Sequence, residues 1–236
     1  MSEYYKKPGD VRTILTALQQ KFAGNFSEAL SKKSDGLRLA ELKARALSEI
    51  GKMVCGHKDL TSSQIECVCI FDEIFGDIIC SIYFAACALD KPAQLLLRRT
   101  LELGVAIIYL WDLPHRFWAW KNHDDDLNFS EMLEHLSSEG YKTHVHKANP
   151  KFLSANMCDV RAARKLYREL SNIVHGKMSS FESTSPDRFN FTESDWSRHL
   201  ILTNAVEDLL LDLWQNRFQG TREQLPKAIP QLFSQT

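Results

Sequence analysis

Apolar residues recur along this chain at spacings of three and four rather than in alternation, and that period selects helices. The pattern predicts helices over residues 10–30, 36–54, 62–88, 92–112, 127–139, 159–176 and 193–218. No alternating run bounded by hairpin turns stands out, and only 10 Gly and 7 Pro punctuate the 236 residues. Ser34 or Asp35, Thr61 or Ser62, and Ser194 suit N-caps, while Pro92 suits a first helical turn following Asp90. The 62–88 and 92–112 segments are apolar nearly all round and belong at the centre of a bundle. Their short link permits only an antiparallel hairpin. The stretches 140–158 and 177–192 read as irregular, but apolar helical segments flank both, so neither divides the chain. The expectation is one all-α domain spanning 1–236, a helical bundle around a central antiparallel apolar pair. Residues 1–9 and 221–236 are expected as flexible or peripheral tails.

At 44% apolar and 25% charged, the composition is that of an ordinary globular chain with ample material for a core. The net charge of −1 and a pI near 6.7 exclude a globally basic surface, so a polyanion would have to meet a local patch. Cys55, Cys67, Cys69, Cys80, Cys87 and Cys158 form no Cys-x-x-Cys pair and mostly lie in apolar runs, which predicts buried, reduced thiols. The first ten residues, MSEYYKKPGD, lack the apolar core of a signal peptide. Asp72, Glu73 and Asp77 interrupt one long apolar stretch, and Arg98, Arg99 and Glu102 the other, so no membrane span is expected. A cytoplasmic location follows as the expectation.

The local patch lies between Asp159 and Lys177. At about 100° per residue, Arg161, Arg164, Arg168, Asn172 and His175 fall within roughly 80° of one another. Val160, Ala163, Leu166, Tyr167, Leu170, Ile173 and Val174 take the other side. Arg168 and His175 are two turns apart, about 10 Å along the axis, so both can converge on one phosphate. Gly176 at a C′ position puts His175 in the last turn, where the helix dipole favours its protonated form. A solvated charged face balanced by Glu169 and Asp159 is the plainer reading of the same spacing. Arg116 and His123 share that spacing and serve as an internal control. They run into Asp124, Asp125 and Asp126, which would repel a phosphate, so an amphipathic helix ending in an acidic turn is expected there. Arg98 and Glu102 form an i,i+4 pair in an apolar helix and, with Arg99, act either as a structural clamp or as a lining of the same cleft. His135, His144, His146 and Cys158 fit no closed zinc pattern. No phosphate-cradling glycine loop or nucleophile elbow is present, and neither metal nor cofactor is expected.

The stretch RELSNIVHGK (Arg168–Lys177), preceded by Leu166 and Tyr167, resembles the signature of the HEPN superfamily, helical domains of many toxin and antiviral systems. That motif is an arginine, four to six residues, then a histidine on a late helix, and Arg168 and His175 are similar to it. The spacing Tyr167, Leu170-Ser171, His175-Gly176 is similar to a YxxLSxxxHG pattern of bacterial HEPN-like families. QLLLRRTLELGVAIIYLW (95–112) resembles their central helix, with arginine and glutamate one turn apart. Glu169 departs from the Asn, His or Asp that often follows the arginine. An acidic group there can steer the arginine but weakens the anion site. The resemblance implies a metal-independent endoribonuclease, a toxin or anti-phage effector, with Arg168 and His175 catalytic. Arg161, Arg164, Asn172 and Lys177 would bind RNA, and Arg98, Arg99, Glu102 and Glu169 would support the cleft. It also implies a homodimer that brings two histidines together, and an antitoxin or regulatory partner. The alternative is a non-catalytic interaction or nucleotide-binding subunit of a defence complex.

Overall fold

The computed structural model describes residues 11–32, 34–148, 156–174 and 189–234. The protein is all-α, and among the described residues there are eleven helices and no strand. They are α1 (Val11–Ser31), α2 (Asp35–Cys55), α3 (Ser62–Ala86), α4 (Asp90–Asp112), α5 (Pro114–Lys121), α6 (Phe129–Ser137), α7 (Glu139–Ala148), α8 (Val160–Val174), α9 (Glu193–Arg217), α10 (Thr221–Ala228) and α11 (Pro230–Phe233).

The α3–α4 hairpin makes the largest interface in the bundle, with α2, α8 and α9 packed around it. Residues 104–111 of α4 are all buried, as a helix covered on every side requires. Close approach of α9 depends on Gly104, where a Cβ would come within 2.4 Å of Leu210 Cδ2. Trp214 Nε1 then donates to the Gly104 carbonyl at 2.8 Å. Phe71 of α3 meets the Trp214 ring edge-on, centroids 4.9 Å apart, which satisfies the aromatic quadrupoles in the core.

Helix starts follow from local chemistry. Ser34 accepts from the Leu37 N–H, and Thr61 forms a full capping box with Gln64. The third start is capped by Thr192, which accepts from the Asp195 N–H, rather than by Ser194. Three other departures have physical causes. Residues 140–148, part of the stretch 140–158 expected as irregular, lie in α7, which buries Tyr141 and Val145 one turn apart. Three apolar residues in ten, Tyr141, Val145 and Ala148, leave little periodic signal among the charged and polar ones. The segment after 220 forms α10 and α11, and Leu225 and Ile229 bury against the main core. Finally, α3 is not enclosed all round: Ile65, Cys69, Ile79, Cys80 and Tyr83 are exposed, so two of the six thiols face outward. Among the described residues, no helix is long and apolar enough to cross a membrane.

Candidate functional site

Helix α8 is divided along its length. Asp159 Oδ1 accepts from the Ala162 N–H and starts the helix. Ala163, Leu170 and Ser171 are buried, and Leu166 and Tyr167 are half-buried against the core. The other side carries Arg161, Arg164, Lys165 and Arg168, all exposed, with Asn172 half-buried at its edge. The three arginines of the predicted stripe therefore stand in the open. Arg168 Nε donates to the Arg164 carbonyl at 3.2 Å, which lays the side chain along its own helix. Arg164 pairs with Glu134 of α6 at 3.0 Å, and Glu169 is drawn to Arg198 of α9 at 3.2 Å. These pairs are exposed and each is worth about 0–1 kcal/mol. Among the described residues no carboxylate pairs with Arg161 or Arg168. His175, Gly176 and Lys177 lie outside the described residues.

Behind the stripe, α4 meets α8 through a polar contact. Arg98 Nη2 donates to Glu102 Oε1 at 2.9 Å and to the Tyr167 hydroxyl at 2.8 Å. Its guanidinium sits 4.9 Å from the Tyr167 ring centroid, and Phe129 stacks on that ring at 4.2 Å. Burial and the Glu102 carboxylate hold the phenol above its ordinary range, so it stays protonated. Ser171 Oγ donates to the Tyr167 carbonyl at 2.6 Å. Thus Arg98 and Glu102 of α4 come together with Tyr167 of α8, 69 residues beyond Arg98, beneath the stripe. Arg99 does not join them. Its Nη1 holds both oxygens of Asp77 at 2.7 Å and its Nη2 reaches Glu73 at 2.8 Å, which ties α4 to α3 instead.

The control pair behaves differently. Arg116 is taken up by Asp125 at 2.7 Å and Glu131 at 3.2 Å, and His123 follows α5 at a positive φ of 61°. His135 is wedged between the rings of Tyr109 and Tyr141, each centroid 5.2 Å away, and burial lowers its pKa. The Cys158 thiol is pushed up to about 11 by burial. Among the described residues no three His, Cys, Asp or Glu side chains gather as metal ligands.

Sequence reasoning missed two features. Asp112 accepts from Arg217 Nε and Nη2 at 2.7 and 2.5 Å and from the Tyr141 hydroxyl at 2.7 Å, joining the ends of α4 and α9 to α7. Its partners are 29 and 105 residues away, so no local spacing announces it. Glu207 is fully buried, with both carboxylate oxygens unpartnered among the described residues. An acid on an amphipathic helix reads as exposed, and nothing nearby marks this one as an exception. No protein-family model, curated protein or solved structure matches this chain.

Proposed function

We propose that this chain is a HEPN-type endoribonuclease that cleaves RNA without a metal ion, acting as a homodimer through opposed α8 helices. The observation that carries the reading is the open row of Arg161, Arg164 and Arg168 on a helix whose opposite face is core. In sequence the row continues to Asn172, His175 and Lys177. An arginine stripe left uncovered in one copy is suited to phosphates or to a two-fold partner.

The chemistry is transesterification. A 2′-hydroxyl loses its proton to one His175 and attacks the adjacent phosphorus. The 5′-oxygen leaves with a proton from the second His175, giving a 2′,3′-cyclic phosphate and a 5′-hydroxyl. Arg168 stabilises charge developing on the phosphoryl oxygens, and Arg161, Arg164, Asn172 and Lys177 hold flanking phosphates. Arg164 can exchange Glu134 for a phosphate at little cost because the pair is exposed. Glu169, engaged by Arg198, is held by a group other than Arg168. Arg98 and Glu102 set Tyr167 and thereby the seating of α8. By resemblance, the biological role is that of a toxin or anti-phage effector, restrained by an antitoxin or regulatory partner.

The Arg164–Glu134 pair also favours a second reading, a non-catalytic module whose stripe is partly neutralised and binds a partner or nucleotide. The two separate on one experiment. Purified protein in a metal chelator is incubated with single-stranded RNA and DNA of the same sequence. Cleavage of RNA only, lost in His175→Ala and Arg168→Ala and kept in His123→Ala, supports the nuclease. Retained RNA binding with no cleavage supports the module.

A further inference from the structure

Away from α8, a cleft of about 550 Å³ opens where the end of α2 meets the α9–α10 junction. That volume is within the range of small-molecule sites, roughly 300–1,000 Å³. Its walls differ in chemistry. Met53, Leu60 and Phe218 give a half-buried apolar floor, and the exposed Lys52, His57 and Gln224 stand at its rim.

Arg217 lines the same cleft and is already fixed. Asp112 takes its Nε and Nη2, and its guanidinium lies 5.3 Å from the Phe218 ring centroid. The Tyr141 hydroxyl reaches the same guanidinium, so this fork no longer has to be ordered for a ligand. Gly220 and Thr221 at the start of α10 form part of the wall, and no side chain caps that helix. Asp59 also lines the cleft, and Lys52 is held at 2.6 Å by Glu49 in a weak surface pair, which a ligand can displace. A flat ring against Phe218 and an oxyanion between Arg217 and Lys52 then satisfy both kinds of wall.

We infer that this cleft binds a mononucleotide-sized organic anion, a planar ring carrying a phosphate, at a site separate from the α8 stripe. The assignment stands on the cleft alone and does not depend on the nuclease reading. Calorimetric titration of the full chain with adenosine 5′-monophosphate, adenosine and inorganic phosphate tests it. The monophosphate binds one per chain with a dissociation constant below about 1 mM, and the other two bind at least roughly tenfold more weakly. Lys52→Glu and Gly220→Trp each weaken binding by roughly tenfold or more. Arg168→Ala leaves it unchanged, which separates the cleft from the stripe. Both cleft positions are exposed, and a Cβ at Gly220 meets nothing within 4 Å, so folding is preserved and is checked by thermal melting. If adenosine monophosphate does not bind, or if binding survives both cleft substitutions, the assignment is overturned. Binding lost in Arg168→Ala alone likewise overturns it and assigns the nucleotide to α8.

Discussion

Two buried ionisable residues give this molecule opposite responses to pH. Burial raises the Glu207 carboxyl to about 9, and with no hydrogen-bond partner it is protonated at neutral pH. Below the unfolded value, near 4.5, both states are protonated and the group adds no pH dependence. Between there and about 9 the folded state binds more protons, so stability falls as pH rises. The slope reaches about 1.4 kcal/mol per pH unit. Glu207→Gln therefore stabilises the protein more at pH 8 than at pH 5, as chemical denaturation at the two pH values will register; an equal effect contradicts the buried neutral acid. His199 works the other way. Its Nε2 contacts Ser81 Oγ, which itself donates to the Ala93 carbonyl, so Nε2 carries the proton and Nδ1 is a bare buried acceptor. Burial lowers its pKa to about 4, so stability is lost as pH falls from about 6.5 toward 4. His199→Gln flattens that acid limb relative to wild type.

At the scale of elements, the hydrophobic pattern is most legible where a helix has many apolar positions. Over its described residues helix α8 was legible because its two faces differ so sharply in composition, and the α3–α4 hairpin because its link is short. Helix α7 was not, because its buried positions Tyr141 and Val145 stand among charged and polar residues. The partners of α8 were equally hidden. That Arg98 meets Tyr167, or that Arg99 turns to α3, is decided by how three helices pack and not by spacing on one of them. The Arg98 contact has a measurable consequence. Tyr167→Phe removes the hydroxyl that Arg98 holds yet keeps the Phe129 stack, and costs about 0.5–1.5 kcal/mol in thermal or chemical melting. Arg98→Ala costs more, because it also removes the partner of Glu102. If the two cost the same, the guanidinium contributes no more than its bond to the hydroxyl. Gly104→Ala tests the α4–α9 approach. With Leu210 fully buried and no room for a methyl, the substitution destabilises by about 1–3 kcal/mol.

For the whole molecule, the all-helical architecture followed from period and breaker content, because both are properties of every segment at once. The polar groups at the ends of α4 and α9 did not, since Asp112 and Arg217 meet only after the bundle has assembled. The proposed activity also belongs to this scale, because one α8 supplies a single His175, while the reaction needs a base and an acid. Specific activity should fall on dilution as the dimer separates, and excess His175→Ala subunits should suppress wild-type activity through mixed dimers. The pH–rate profile should be bell-shaped, with both limbs belonging to the coupled histidine pair. The most direct single measurement is RNA cleavage by purified protein in a metal chelator, wild type against His175→Ala, with product ends identified. The account predicts 2′,3′-cyclic phosphate ends from wild type and none from the mutant. Undiminished cleavage by His175→Ala would contradict it and leave the α8 row as a charged surface.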